Sequence, residues 1–277
     1  MSCKISDGKK ISEKFLMQTK KYISEHKITP RLATILVGHD TASETYISIK
    51  KKTCESVGIH VDTYNMNPKS DQIKELIQKL NDNIEINGVL VQLPLPENIQ
   101  TQEIIETIRP EKDVDGIHPV NLGRLAYGDE TIPACTAMGI IKILEEEKIS
   151  IGGSSVAVIG RGIHVGKPLY SMLYNRNATV TMCHTGTKNI NDITRQADIV
   201  VVAVGKPNYL KTDMIKTGAV VVDVGINRIG KKLTGDVDDS VKDKASLLTP
   251  VPGGVGPMTV AMLIQNTLNA FIRQNQV

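Results

Sequence analysis

The sequence has 277 residues, 40% of them hydrophobic, which is enough to form one large domain or two ordinary ones. Its 33 basic and 30 acidic residues leave a formal net charge of +3, and only 3% of the chain is aromatic, so the basic, base-stacking surface of a nucleic-acid-binding protein is not expected. The aliphatic runs are too short to span a bilayer and the first ten residues lack the apolar core of a signal peptide, so we expect a cytoplasmic protein.

Apolar, β-rich runs alternate with helical patterns in the first half of the chain. In order, the sequence predicts a helix over 7–26, a strand over 32–37, a helix over 43–57, a strand over 59–66, a helix over 70–83 and a strand over 89–93. Such alternation is typical of βαβ units, so we expect an α/β fold with a parallel sheet.

The same alternation begins again in the second half. After the turn-rich stretch DVDGIHPVNLGRLAYGD (113–129) and a predicted helix over 138–148, strands are predicted over 156–159, 179–183, 199–204, 219–222 and 246–248. Helical spacing over 258–273 predicts a last helix that packs back on the first domain and closes a cleft between the two. We therefore divide the chain into a substrate domain, 1–137 with 258–277, and a Rossmann-like nucleotide domain, 138–257.

A glycine-rich turn follows the first predicted strand of the second domain. In VAVIGRGIHVGKPL (156–169) the glycines stand at Gly160, Gly162 and Gly166, one residue longer than the G-x-G-x-x-G fingerprint. The turn opens a βαβ unit, with a helix predicted over 167–174, and in that setting backbone N–H groups at the helix start bind a pyrophosphate. A tight connection without a ligand is the alternative, because glycines also permit close packing.

The next predicted strand favours NADP over NAD. An NAD site usually places an acidic residue about 20 positions on, where it binds the ribose hydroxyls. Here the strand ends in Cys183, His184 and Thr185, and no carboxylate stands there. Arg161, Thr185 and Lys188 suit a 2′-phosphate instead, so the sequence predicts NADP.

Tyr46 and Lys50 stand four residues apart on a predicted helix, so both side chains project from one face. An aromatic ring beside an amine can flank a flat ligand; a half-buried tyrosine with a solvated lysine is the alternative. Short-chain dehydrogenases also carry Tyr-x-x-x-Lys, but there the pair follows the glycine loop, whereas here it comes well before it.

Gln92 and Asp115 occupy further positions where ligands bind. Gln92 stands at the carboxyl end of a predicted strand, in NGVLVQLPLP (87–96), and Asp115 lies in a loop bounded by glycine and proline, in RPEKDVDGIHPVNLGRL (109–125). Open α/β sheets bind ligands at such strand ends and loops. Read singly, each residue could equally be a turn or capping residue.

The four cysteines, Cys3, Cys54, Cys135 and Cys183, lie far apart, and the six histidines form no H-E-x-x-H pattern. Neither a disulfide framework nor a zinc site is indicated. We expect reduced thiols and no metal.

Together with LLTPVPGGVGPMT (247–259), these motifs resemble the methylenetetrahydrofolate dehydrogenase/cyclohydrolase family over nearly the whole chain. The resemblance implies NADP-dependent oxidation of 5,10-methylenetetrahydrofolate to the 5,10-methenyl form, hydrolysis of that product to 10-formyltetrahydrofolate, and a homodimer formed through the nucleotide domains. The competing hypotheses are an amino-acid or shikimate-type dehydrogenase and a folate-binding protein without catalysis.

The resemblance also assigns site residues. Lys50 would transfer protons, and Gln92 would orient the Lys50 amine. Asp115 would accept hydrogen bonds from the pterin, and Tyr46 would pack on the folate ring. Asp113 is a less favoured candidate for the acid. The folate site would consist of Tyr46, Lys50, Val91, Gln92, Leu93, Asp115, Pro252, Gly253 and Gly256. The NADP site would consist of Gly160, Arg161, Gly162, His184, Thr185 and Ile226.

Two positions depart from the family pattern. The family commonly reads C-T-P-x-G where this chain has Ala137 in CTAMG (135–139), so a rigid proline is absent. The family usually has a serine in the nucleotide loop where this chain has Gly162. Glycine has no side-chain hydroxyl, so a hydrogen-bond donor is absent there.

Overall fold

The computed structural model describes residues 2–38, 41–230 and 232–275. The strands are β1 (Lys4–Ile5), β2 (Arg31–Val37), β3 (His60–Met66), β4 (Gly88–Val91), β5 (Ser155–Ile159), β6 (Thr179–Cys183), β7 (Ile199–Val202), β8 (Val220–Asp223), β9 (Asn227–Ile229), β10 (Lys232–Thr234) and β11 (Leu247–Leu248). The α-helices are α1 (Gly8–His26), α2 (Thr41–Ser56), α3 (Ser70–Asp82), α4 (Thr101–Thr107), α5 (Pro119–Ala126), α6 (Cys135–Glu146), α7 (Gly166–Asn175), α8 (Ile190–Gln196) and α9 (Val255–Asn275).

The chain forms two compact units. One, the three-stranded unit, consists of Lys14–Arg124, Asp129–Cys135 and Val260–Val277. The other, the six-stranded unit, consists of Met1–Glu13, Leu125–Gly128 and Thr136–Thr259. The division differs from the sequence-based boundaries at the start of the chain, because the two-residue strand β1 pairs with β11 of the six-stranded sheet. A strand of two residues is too short to show a periodic pattern.

The three-stranded unit is built on a parallel sheet of order β3-β2-β4. Its central strand is buried from Leu32 to Val37, so it shows an unbroken apolar run rather than alternation, as expected for a strand covered on both faces. The chain leaves β2 through α2 to pair β3 on one side, and α3 then leads to β4 on the other side. The carboxyl ends of β2 and β4 therefore flank a topological switch point, where open α/β sheets bind ligands.

The six-stranded unit has a parallel sheet of order β1-β11-β8-β7-β5-β6. The central strands β7 (IVVV) and β8 (VVVD) are buried at every position. Because β5 pairs with β6 on one side and with β7 on the other, a second switch point lies at the carboxyl ends of β5 and β7. The predicted α/β fold with parallel sheets is confirmed.

Several short elements differ from the sequence-based expectation. The stretch 113–129, predicted as turns, contains α5, which begins at a proline, a residue suited to the first helical position. Helices α4 and α8 and the antiparallel pair β9–β10 were not predicted. Seven or eight residues make about two helical turns, which is too few for a clear apolar period.

In the described part of the chain, no helix is long and apolar enough to cross a membrane. Cys3 is partly buried and Cys54, Cys135 and Cys183 are buried, all four as free thiols. Among the same residues, no group of three or more His, Cys, Asp and Glu side chains is arranged to hold a metal ion.

Candidate active site and nucleotide pocket

Helix α2 aligns three side chains of the three-stranded unit on one face. Tyr46, Lys50 and Cys54 follow each other at intervals of four residues, which is about one helical turn. The Lys50 ammonium lies 4.6 Å from the centroid of the Tyr46 ring, within the range of a cation–π contact. Lys50 is only 8% exposed, which rules out the solvated lysine that the sequence left open.

Gln92 holds the Lys50 amine through a hydrogen bond. Its backbone N–H donates to the Ile35 carbonyl just beyond the last residue of β4, so the residue continues the sheet's hydrogen bonding at the switch point. The side-chain Oε1 accepts a hydrogen bond from Lys50 Nζ at 3.1 Å, and Nε2 donates to the Leu93 carbonyl at 2.7 Å. The second bond determines which end of the amide faces Lys50.

Burial moves the pKa values of both α2 groups. Loss of water lowers the pKa of the Lys50 ammonium, and the nearby Asp115 charge opposes this only in part. Burial, followed by the charge of Asp115, raises the pKa of the Tyr46 phenol to about 12. At neutral pH Tyr46 therefore keeps its proton, whereas Lys50 releases its proton more readily than a lysine in water.

Asp113 builds the loop that carries Asp115. It is 1% exposed, and its Oδ2 accepts hydrogen bonds from His118 N–H at 2.8 Å and Asn121 Nδ2 at 2.9 Å, while Oδ1 accepts one from Gly116 N–H at 3.2 Å. Burial raises the pKa of the Asp113 carboxyl, and these donors oppose the increase. Its oxygens are thus engaged in the turn itself.

The neighbouring Gly116 is required by the path of the chain. Its φ of +74° is left-handed, and a Cβ there would lie 2.3 Å from the Pro133 carbonyl oxygen. Asp115, which lies between Asp113 and Gly116, is half-buried. Among the described residues no hydrogen bond engages its carboxylate, so both oxygens can accept hydrogen bonds from a ligand.

Lys112 anchors the same loop at its start. Its buried ammonium donates to the carbonyls of Leu80 at 2.9 Å, Asn81 at 2.8 Å and Asn83 at 2.7 Å, at the end of α3. The Leu80 and Asn81 carbonyls are among the last of α3, which lack partners within the helix, and the positive charge also suits that end of the helix dipole. The loop is therefore tied to a rigid element on the side away from Asp115.

The glycine loop of the six-stranded unit is shaped by two close approaches. Gly160, directly after β5, has a φ of +119°, and a Cβ there would lie 2.3 Å from the Ala203 carbonyl oxygen beyond β7. A Cβ on Gly166, the first residue of α7, would lie 2.0 Å from the Gly160 carbonyl oxygen. At Gly162 no atom lies within 4 Å of an added Cβ.

A cavity of about 220 Å³ opens at this second switch point. The strand ends and following loops that form its wall contribute Ile159, Gly160, Arg161, His184, Thr185, Ile190, Val204, Lys206 and Tyr209. The structure thus brings together four residues of the predicted NADP site. Gly162 and Ile226 are not on this wall, and Ile226 is 64% exposed.

Lys206 and Tyr209 were missed by the sequence analysis. Lys206 follows β7 closely, so the rule that singled out Thr185 after β6 would have found it. His184 was found, and its ring is held by a local bond in which Nδ1 accepts from Gly186 N–H at 3.1 Å.

Two buried carboxylates support the mouth of this cavity. Asp236, fully buried, accepts hydrogen bonds on Oδ2 from the N–H groups of Val204 at 2.7 Å and Gly205 at 2.9 Å, the loop after β7. Asp223, the last residue of β8, accepts one from Asp236 N–H at 2.9 Å. Burial raises the pKa of the Asp223 carboxyl to about 6, although backbone donors lower it.

Comparison with known proteins identifies the family. Residues 6–115 match the tetrahydrofolate dehydrogenase/cyclohydrolase catalytic domain, and residues 134–275 match the NAD(P)-binding domain of the same family. The chain belongs to the tetrahydrofolate dehydrogenase/cyclohydrolase family. The resemblance based on its motifs is therefore confirmed.

Relatives of this dehydrogenase/cyclohydrolase family are similar along their whole length. The Bifunctional protein FolD of a Nitratiruptor species is 49% identical, covering 96% of this chain and 97% of that protein. The crystal structure of FolD methylenetetrahydrofolate dehydrogenase/cyclohydrolase from Campylobacter jejuni has a TM-score of 0.95 at 43% identity and covers 100% of both chains. FolD from Trypanosoma brucei, complexed with NADP cofactor and inhibitor, has a TM-score of 0.95 at 33% identity, again over 100% of both chains.

The remaining folate-site residues predicted for this dehydrogenase/cyclohydrolase are divided between the units. Val91 is buried and pairs with Ile35 in the sheet, and Leu93 is partly buried. Pro252, Gly253 and Gly256 fall in the six-stranded unit. Gly253 has a φ of +102°, which glycine adopts without strain, and its carbonyl accepts a hydrogen bond from Lys9 N–H at 3.0 Å.

The cavity of the six-stranded unit fits the NADP that a dehydrogenase/cyclohydrolase uses. Gly160 has no side chain at a point where one would clash, and Arg161 and Lys206 place two cations on the wall. Among the residues that the structure describes, none on this wall is acidic. A dinucleotide phosphate needs this combination of close backbone approach and positive charge.

Proposed function

We propose that this chain oxidises 5,10-methylenetetrahydrofolate to 5,10-methenyltetrahydrofolate with NADP and hydrolyses the product to 10-formyltetrahydrofolate. The observation that carries the proposal is a buried lysine of lowered pKa, hydrogen-bonded to Gln92 and stacked over Tyr46, beside an Asp115 whose carboxylate is available to a ligand. The family assignment and the fully matching dehydrogenase/cyclohydrolase structures support it.

The first reaction requires alignment rather than acid or base. Bound NADP supplies the hydride acceptor, and the two folate nitrogens next to the methylene carbon stabilise the cation that hydride departure leaves. The three-stranded unit therefore needs only to hold the folate in a fixed position. Tyr46 offers its ring to the flat pterin, and Asp115 accepts hydrogen bonds from the pterin's amino and ring N–H groups.

The second reaction requires proton transfer. Water attacks the methenyl carbon and releases one proton to the solvent. The new hydroxyl then loses its proton, the bond from that carbon to N5 breaks, and N5 gains a proton, which leaves the formyl group on N10. Lys50 carries these protons because its lowered pKa brings its two protonation states closer in energy at neutral pH. Gln92 holds Nζ in place through its Oε1.

The other assigned residues serve binding. In this proposal Val91, Leu93, Pro252, Gly253 and Gly256 contact the folate, and Gly160, Arg161, Gly162, His184, Thr185 and Ile226 contact NADP. Arg161 takes the 2′-phosphate, since no carboxylate on the cavity wall is placed for a free ribose hydroxyl. The substrate domain then corresponds to the three-stranded unit and the nucleotide domain to the six-stranded unit.

We also propose that the protein is a cytoplasmic homodimer that associates through its six-stranded units. The resemblance to the family supports this arrangement, as does an apolar side chain left uncovered on that unit, Ile229, which is 57% exposed. Light scattering at micromolar concentration tests it: a mass of one chain contradicts the dimer.

One assay tests the two activities together. The purified protein receives 5,10-methylenetetrahydrofolate with either NADP or NAD, and the absorbance of the methenyl product is followed over time. We expect a rise that depends on NADP, followed by a decay faster than the uncatalysed hydrolysis. No rise with either cofactor, or a faster rise with NAD than with NADP, contradicts the proposal.

A further inference from the structure

Helix α9 contributes a buried polar side chain to the loop that carries Asp115. Asn266 is 2% exposed, and its Nδ2 donates hydrogen bonds to the Val114 carbonyl at 2.9 Å and the Pro133 carbonyl at 2.8 Å. The Asn266 amide group thus links the chain segment at Val114 to the segment at Pro133, and we call this link the bridge. The bridge ends on the peptide group directly before Asp115.

Cys135 completes the same bridge. Its backbone N–H donates to the Asp115 carbonyl at 3.1 Å, and its Sγ donates to the Val114 carbonyl at 3.2 Å. Asn266 Nδ2 also lies 3.4 Å from this sulfur. Burial raises the pKa of the Cys135 thiol well above its usual range, so the sulfur keeps the proton that it donates.

These bonds add a second support to a loop that its own hydrogen bonds already shape. Asp113 and Lys112 hold the loop on the side of α3, whereas the peptide between Val114 and Asp115 is held through Asn266 and Cys135. Gly116 lets the segment around Pro133 approach closely enough for Asn266 to reach both carbonyls. The bridge thus holds the main chain at the point from which the Asp115 side chain leaves it.

We propose that Asn266 is a positioning residue of the folate site, which acts by holding the Val114–Asp115 peptide so that the Asp115 carboxylate faces the pterin. The inference rests on the proposed function, because it takes Asp115 as the pterin acceptor. It also assigns a role in folate binding to a residue within the segment that matches the NAD(P)-binding domain, 134–275.

The test compares Asn266→Ala with a matched variant on the same helix. Thr267 is fully buried, and within the described part of the chain its hydroxyl bonds only to the Leu263 carbonyl of its own helix at 2.8 Å, so Thr267→Val removes a buried hydrogen bond without touching the loop. For Asn266→Ala we expect the KM for the folate to rise about tenfold in both reactions, because a buried hydrogen bond is typically worth a fewfold to tenfold each. The KM for NADP should stay unchanged, and Thr267→Val should change neither KM.

A double-mutant cycle separates positioning from general loosening. If Asn266 acts through Asp115, then Asn266→Ala in an Asp115→Ala background changes the folate KM by less than about twofold, since the group that it positions is gone. The inference is overturned if Asn266→Ala raises the folate KM by the same factor with and without Asp115. It is also overturned if Asn266→Ala lowers the Tm and leaves the folate KM unchanged. Should Asn266→Ala not fold, Asn266→Ser, which keeps one donor, enters the same cycle with the same two criteria.

Failure of the inference is distinguishable from failure of the proposed function. If Asp115→Ala alone leaves the folate KM unchanged in both reactions, the assignment of Asp115 is wrong and the inference falls with it. If Asp115→Ala raises that KM and Asn266→Ala does not, only the positioning role of Asn266 is overturned.

Discussion

The two units place their sites at the same kind of position but build them from different parts of the chain. In the three-stranded unit the candidate site consists of side chains: the Lys50 amine, the Gln92 amide that accepts from it, and the carboxylate of Asp115, whose backbone is held by buried contacts. In the six-stranded unit much of the pocket is backbone, brought close by Gly160 and Gly166.

This difference determines how each site fails. Removing a functional side chain from the three-stranded unit should change chemistry while the fold survives, because the strand ends and loops keep their own hydrogen bonds. Adding one carbon to the glycine loop should displace the backbone itself, because the nearest atoms are main-chain carbonyls, which cannot move aside as a flexible side chain can.

The largest effect on cofactor binding is expected for Gly160→Ala. The new Cβ would lie 2.3 Å from the Ala203 carbonyl oxygen, so the ends of β5 and β7 must separate and the cofactor wall changes shape. We expect affinity for NADP, measured by calorimetric titration, to fall by about a hundredfold or more, the scale of a few kcal/mol from strain and lost contacts.

The control is Gly153→Ala, at a glycine with a φ of +78° and open space around an added Cβ. It introduces the same left-handed strain outside the cavity wall and should cost on the order of 1 kcal/mol of stability without weakening NADP binding. Equal loss of NADP affinity in both variants would show that the close approach to Ala203 is irrelevant.

Arg161→Ala should have a smaller and more selective effect. A charge-assisted hydrogen bond is typically worth about 1.5–3 kcal/mol, so the KM for NADP should rise roughly tenfold to a hundredfold. The KM for NAD should barely change, because NAD lacks the 2′-phosphate. Arg195→Ala, which removes an arginine of α8 outside the cavity wall, should leave both values as they are.

An equal rise of the two KM values in Arg161→Ala would mean that the arginine binds a group common to both cofactors. The prediction of NADP selectivity by Arg161 would then be wrong.

The smallest effect is expected for Asp223→Asn. The Asp223 carboxylate supports the six-stranded unit by accepting hydrogen bonds from backbone N–H groups. Its pKa is raised from 3.8 to about 6, so its contribution to stability is present in full below pH 3.8 and is lost as the pH rises through 6. The advantage in unfolding free energy of the unaltered protein over Asp223→Asn should therefore shrink between pH 4 and pH 7, by on the order of 2 kcal/mol.

Denaturant titrations of both proteins at matched pH values measure this difference. An advantage that grows with rising pH would show that the hydrogen bonds from Asp236, Val237 and Gly225 to Asp223 outweigh its burial.

The contrast between the units also explains how much the sequence could predict. Long elements with strong patterns were found within a few residues, such as α1 (Gly8–His26) against a predicted 7–26 and β6 (Thr179–Cys183) at its predicted bounds. The strand β1 and the helix α5 were not predicted, because both are too short to show a period of apolar residues. The pairing of β1 with β11 also depends on residues far along the chain.

For the sites, the sequence predicts residue types at strand ends but not what holds them. Tyr46 and Lys50 were paired from helical spacing alone, and the structure places them in contact. That Asp113 builds the turn while Asp115 remains available, and that Asn266 reaches the loop from a helix far along the chain, follows only from tertiary contacts. Motif spacing carries no information on such long-range hydrogen bonds.

The most direct test of the account is the ratio of the two activities in Lys50→Met. Methionine keeps much of the length and packing of the side chain but cannot carry a proton. One preparation is assayed twice, for decay of methenyltetrahydrofolate above the uncatalysed rate and for NADPH formation from methylenetetrahydrofolate. We predict that the first activity falls by about a hundredfold to ten-thousandfold, the usual contribution of general acid–base catalysis, while the second survives in part. Hydrolysis at the rate of the unaltered protein would contradict the account.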